Sequence, residues 1–134
     1  MTLTRQELKG GAVSAHARHA VKDCNTKDIT TATGTEVVVL GPIKVRDLRY
    51  KTVWYRNRSE TYTHSVKVYH SPEKTMPTAQ DDGTWKQIGS TATVSPETMS
   101  DPMKYDGDYM WMMVTATGET EEEIGDAYFM GSHD

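Results

Sequence analysis

The feature that most constrains this chain is a run of period-two alternation between Leu48 and Thr117, broken by loops of which the chief one joins Ser71-Pro72-Glu73 to Asp81-Asp82-Gly83. Leu48, Tyr50, Thr52 and Trp54 fall on one side of an extended segment, and Arg49, Lys51, Val53 and Tyr55 on the other. Tyr62, His64, Val66, Val68 and His70 share a face in the same way. Tyr109, Trp111 and Met113 oppose Met110, Met112 and Val114. Side chains alternate with period two along a strand, so the run predicts a small antiparallel β domain.

The chain has 134 residues, enough for one domain with a core of its own. Hydrophobic residues make up 36%, and a single Phe leaves Met, Tyr and Trp to supply the large apolar volume. A thin core of this kind fits a sandwich with a solvated outer face, or a subunit stabilised by its neighbours. Trp54 and Trp111 are the expected core aromatics, and Trp85 is expected to pack over the sandwich edge.

Cys24 is the only cysteine, so no intramolecular disulfide forms within this sequence. It sits among Asp23, Asn25 and Thr26 with no activating group beside it in sequence and reads as an incidental thiol. No charged-then-apolar leader opens the chain and no apolar run approaches ~18 residues, so a reducing cytoplasm is the expected place of synthesis and no membrane partner is expected.

Charge is unevenly placed. Residues 1–35 hold five Lys/Arg and three Asp/Glu, residues 36–100 nine and seven, and residues 101–134 one and nine. The acidic final third repels phosphate, which argues against a nucleic-acid partner. Glu119 and Glu121-Glu122-Glu123 read as a solvated loop, or as a patch that pairs with basic residues of a neighbour.

Along the chain, Thr4 to Glu7 has capping-box spacing and Gly10-Gly11 stops the helix it would start. Ala12–Val21 is a second short helix candidate, and Asn25 to Gly34 reads as extended linker. Residues 1–35 are thus expected to form an extended, partly helical N-terminal arm, ordered on a partner surface or a free terminus. Residues 36–134 are expected to form an antiparallel β-sandwich or jelly-roll-like barrel. Its predicted strands are Glu36–Leu40, ended by Gly41-Pro42; Ile43–Asn57, as one strand or two; Tyr62–His70; Trp85–Ile88 and Ser90–Val94, split by Gly89; Tyr109–Thr117; and Asp126–Met130.

Candidate chemistry is sparse. His16 and His19 would share a helical face, but two imidazoles without a third ligand make a poor metal site. His64 and His70 are too far apart along one strand to share an ion and read as partly exposed. Asp101, Asp106 and Asp108 read as turn residues before calcium ligands, since the twelve-residue loop spacing is absent. No nucleophile elbow, phosphate-binding loop, dinucleotide fingerprint or paired-cysteine motif occurs, so no cofactor and no enzymatic activity are expected. Tyr50, Trp54, Tyr55, Tyr62 and Tyr69, with Arg49, Arg56 and Arg58, supply the residue types found in stacking platforms and protein interfaces.

The succession Trp54-Tyr55-Arg56-Asn57, then Val66 to Pro72, then Gly83 to Ile88, then Asp108 to Val114 resembles a pattern met in small β-sandwich proteins of tailed-phage particles. It spans about residues 50–117 and departs at Glu73, where those proteins carry Asp before a shorter loop. The resemblance implies a virion component made in the host cytoplasm, most simply a capsid cement or decoration protein. Its implied partners are a major capsid protein and further copies of itself, as a trimer. The implied contact residues are Arg5, Arg18 and Lys22 in the arm, and Tyr109, Trp111 and Met113 on the last aromatic strand. A carbohydrate-binding module, or a neck, tail or fibre-attachment subunit, are the alternatives.

Overall fold

The structure, a computed structural model, describes residues 21–31, 34–79, 83–119 and 124–133. Eight strands form: β1 (Val21–Thr30), β2 (Val37–Lys44), β3 (Tyr50–Asn57), β4 (His64–Ser71), β5 (Lys86–Val94), β6 (Met103–Tyr105), β7 (Trp111–Thr117) and β8 (Ile124–Ser132). They make two four-stranded sheets with orders β1-β8-β3-β6 and β2-β7-β4-β5, and every pairing is antiparallel. Only β4 and β5 are consecutive in both sequence and sheet. This interleaving is that of a jelly roll, so the expected all-β sandwich takes that form.

The core lies between the sheets. Val53, Tyr55, Ala127 and Phe129 face inward from the first sheet, and Val66, Val68, Met112, Val114 and Ala116 from the second. Leu40 and Ile43 of β2 and the connecting residues Val45 and Leu48 close one end. Tyr55 is fully buried, and its hydroxyl meets His64 Nδ1 of the facing sheet at 2.8 Å. Asn57, also fully buried, donates to the carbonyls of Tyr62 and Val94 and accepts from Ser59 N, which fixes the β3–β4 connection.

Several expectations are corrected. Residues 21–30, expected in the arm, form β1 and pair with β8 along nearly their whole length. β1 is an edge strand of which only Cys24 and Ile29 are half-buried against the core, so it lacks the apolar alternation that marks a half-buried strand. The predicted end of β2 at Gly41-Pro42 fails because the strand continues to Lys44, with register shifts after Val38 and after Leu40. It lies at a sheet edge, where a residue without an N–H is tolerated. The segment split at Gly89 is one strand, β5. Gly89 adopts φ 71° where the pairing with β4 shifts, which makes a bulge and not an end. β6 was not expected at all, being three residues long.

The facing of β3 is also reversed. Lys51, Val53, Tyr55 and Asn57 point inward, while Trp54 lies half-buried on the outer side. Trp111 is half-buried too, its indole N–H donating to the Glu73 carbonyl at 2.9 Å. Trp85 is held in the same way by the Thr78 carbonyl. His64, expected as partly exposed, is 0% exposed because Tyr55 supplies a polar partner inside the core. The helices expected at Thr4–Glu7 and Ala12–Val21 lie outside the described residues, apart from Val21, which opens β1, as do His16, His19, Asp81, Asp82 and Glu121–Glu123.

Candidate functional site

The two outer sheet faces differ in what covers them. On the β2-β7-β4-β5 sheet, Glu36, Lys67, Tyr69 and Thr115 form a polar cluster. Glu36 accepts from the Tyr69 hydroxyl at 2.5 Å and from Thr115 at 2.7 Å, and Lys67 lies at 3.7 Å. Burial raises the Glu36 carboxyl, but those two hydrogen bonds and the Lys67 charge together hold it below the usual carboxylate range. Tyr69 is pushed up to about 12 by burial and by donating to that carboxylate. The β4–β5 connection folds back over this face through the Trp111–Glu73 and Trp85–Thr78 bonds and the Ser71–Thr84 hydroxyl pair. A pocket of about 580 Å³ remains between Glu36, Tyr69, Trp85 and Thr115.

The outer face of the β1-β8-β3-β6 sheet has less over it. Trp54 pairs across strands with Tyr128, which pairs with Asn25; Met130 sits between Thr52 and Asp23. Met99 joins this face through a bridge between Arg56 and Met99. Met130 is 51% and Met99 48% exposed. Together with Trp54 and Tyr128 they line a shallow groove of about 510 Å³, bounded on the β1 side by Asp23 and Asn25. The Lys27 ammonium lies 5.9 Å from the Tyr128 ring centroid. Aromatic and methionine side chains gathered in a shallow exposed groove are the composition of a protein contact surface.

The same sheet ends in β1, an edge strand. Its far end is fixed by Asp126, 2% exposed, which accepts from the Asp28 amide at 2.9 Å and faces Arg58 at 3.5 Å; Arg58 also pairs with Asp28. Cys24 faces inward opposite Phe129, and burial pushes its thiol up, away from the reactive thiolate.

Of the six expected contact residues, Arg5 and Arg18 lie outside the described residues. Lys22 is exposed on β1, with Nζ 3.4 Å from the Lys44 carbonyl. Tyr109 stacks on His70, ring centroids 4.7 Å apart, and the Lys51 ammonium lies 5.5 Å from its ring. Trp111 is tied to Glu73, and Met113 is 1% exposed. β7 lies between β2 and β4 and has no open edge, so the structure does not gather these residues on one surface. The residues that do gather, Asp23, Asn25, Trp54, Met99, Tyr128 and Met130, come from four separate segments. The signal for their β1 part is the repeat Lys22-Asp23 and Lys27-Asp28 around Asn25, which reads as polar linker until β8 is placed beside it.

Among the described residues no group of three His, Cys, Asp or Glu is placed to hold a metal ion, and no helix is long and apolar enough to cross a membrane. No protein-family model matches the chain, and no curated protein matches it. Among solved structures it is similar to a protein of the Bacillus endospore appendages, a family of disulfide-linked pili. The TM-score is 0.50 and the identity 14%, over 86% of this chain and 88% of that one. PirA matches with a TM-score of 0.41 and 9% identity, over 83% of this chain and 92% of that one, too distant to bear on function.

This likeness corrects the expectation of a phage capsid cement or decoration protein. That expectation rested on strand spacing over residues 50–117, and such spacing follows from a jelly roll whose fold is shared with a pilus protein.

Proposed function

We propose that this chain is a non-catalytic building block of a protein fibre displayed at a cell surface, assembling with further copies of itself. The observation that carries the reading is the pairing of an edge strand, β1, with no partner on its outer side among the described residues, with the aromatic and methionine groove beside it on the same sheet. A subunit that polymerises needs apolar surface to bury and a directional element to set orientation, and sheet edges supply the second. The sandwich shared with a pilus protein over most of both chains supports the same reading.

Cys24 is the one cysteine of this sequence and faces inward, so the proposed contacts are non-covalent. Linking each subunit to two neighbours through disulfides takes at least two thiols per chain. Electron microscopy of the purified full chain over a range of concentrations, with antibody labelling of source cells, tests the proposal. Fibres in the preparation and label along surface filaments are the expected result. A protein that remains a small discrete particle at millimolar concentration, with no surface label, overturns it.

A further inference from the structure

We propose that two copies of this chain join edge to edge through β1, antiparallel, with Asn25 of one copy facing Asn25 of the other. The inference deepens the assembly reading by naming one of its contacts. Among the described residues the two sheets have four edges, and three are interrupted within their length. β2 carries Pro42 and two register shifts, β5 is bulged at Gly89, and β6 is only three residues long. β1 keeps unbroken register with β8 from Val21 to Thr26, shifts once between Thr26 and Ile29, and contains no proline.

Asp23 opposes Met130 and Asn25 opposes Tyr128, so both lie on the outer face, and Lys27 reaches over Tyr128 on that face. Asp23, Asn25 and Lys27 thus form one row at alternate positions. A two-fold axis through Asn25 sets Asp23 of each copy directly opposite Lys27 of the other, giving two ion pairs that flank an amide pair. Directly opposed residues in an antiparallel pair lie close enough to interact, and opposite charges there stabilise while like charges destabilise.

Charge also rejects a neighbouring register: a shift of one step in one direction sets Lys22 against Lys27. A charged edge ordinarily discourages pairing with other strands. Here the signs are arranged so that the strand gains two ion pairs with its own copy in one register and meets a like-charge pair when slipped by one step towards Lys22. Asp28 is left out of this count because Arg58 holds it and its φ of 59° turns it out of the strand. The joined sheet has eight strands, and the two outer grooves, each bounded by Asp23 and Asn25, meet across the axis.

Sedimentation equilibrium of the full chain, wild type and charge variants, tests the register, with circular dichroism confirming that each variant is folded. The wild type is expected to dimerise. Asp23→Lys should weaken the dimer by about tenfold or more, and Asp23→Lys with Lys27→Asp should return it to within about threefold. In a Cys24→Ser background, Asn25→Cys should form a disulfide-linked dimer on mild oxidation, because opposed Cα atoms lie within bridging range, while Asp23→Cys should not. A monomeric wild type, a double variant as weak as the single one, or cross-linking at position 23 in preference to 25 overturns the proposal. Fibres that persist in the Asp23→Lys variant reject this contact but keep the assembly reading. A β1 dimer that never forms fibres does the reverse.

Discussion

Tyr55 of β3 and His64 of β4 are 0% exposed and share a 2.8 Å hydrogen bond that spans the two sheets of the jelly roll. The Tyr55 ring runs beneath β8 at Gly125, where an added Cβ would fall 1.9 Å from the Tyr55 hydroxyl oxygen and 2.3 Å from Cζ. Glycine is therefore required at 125 for the tyrosine to reach the histidine.

Tyr55→Phe removes the hydroxyl and is expected to cost about 1–2 kcal/mol. Gly125→Ala forces the ring to move and is expected to cost about 2–3 kcal/mol. Because both changes act on one contact, the double variant should be less destabilised than the sum of the two. Denaturant midpoints of the four proteins measure this, and simple additivity would show that the two sites are not coupled.

Lys51 places an ammonium at a buried position of the same strand. It is 1% exposed and donates to the carbonyls of Leu48 at 2.7 Å, Arg49 at 3.1 Å and Gly107 at 3.0 Å. Burial lowers its affinity for a proton, which the charges of Asp106 and Asp108 partly restore. Lys51→Met keeps the stem but removes the donor from those three carbonyls, and is expected to cost about 2–3 kcal/mol. Lys51→Arg should not recover it, since a planar fork does not fit a site built around one point charge. A midpoint unchanged in Lys51→Met would mean that water replaces the ammonium.

These two buried polar groups explain what the sequence made legible and what it did not. The alternation in β3, β4 and β7 reads directly as strands because one side of each packs on the core. Which side of β3 faces inward does not read, since Trp54 and Tyr50 look more apolar than Lys51. The answer depends on carbonyls from residues 48, 49 and 107 and on His64, partners that only the folded chain assembles. β1 is invisible for the opposite reason. Its pairing with β8 is a backbone matter, and an edge strand needs no apolar face. The candidate surface inherits both failures, because Asp23 and Asn25 lie on β1, and Trp54, Tyr128 and Met130 lie on the side of β3 and β8 that polarity alone assigns to the core.

Stability should rise with pH across the acid range through two separable groups. His70 has a buried Nδ1 with no hydrogen-bond partner, and burial, then the Lys86 charge, hold its proton affinity below the ordinary value. The unfolded chain therefore takes up a proton below about pH 6.5 that the folded chain resists, and stability falls as pH drops through that range. Glu36 is also held low, so its contribution is present above the ordinary carboxylate value and is lost as pH falls through the folded value. Melting temperatures from pH 3 to 8 should show both slopes. His70→Phe, which keeps a ring against Tyr109, should flatten the upper one and Glu36→Gln the lower. An upper slope that survives in His70→Phe would assign it to another group.

The two faces of β8 offer the sharpest separation of folding from assembly. Phe129 points inward and is 2% exposed, while its neighbour Met130 is 51% exposed on the groove beside Trp54 and Tyr128. Phe129→Ala empties a core position and should cost about 3–5 kcal/mol, with any loss of assembly following from the loss of fold. Met130→Lys puts a charge at a position already in water and should change stability by less than about 0.5 kcal/mol. It should nevertheless suppress fibre formation, since an unpaired ammonium buried between subunits is costly. If Met130→Lys is as unstable as Phe129→Ala, the groove is part of the core and the assembly reading loses its surface. If it is stable and still forms fibres, the subunits meet elsewhere, and the β1 edge then has to be tested without the groove beside it.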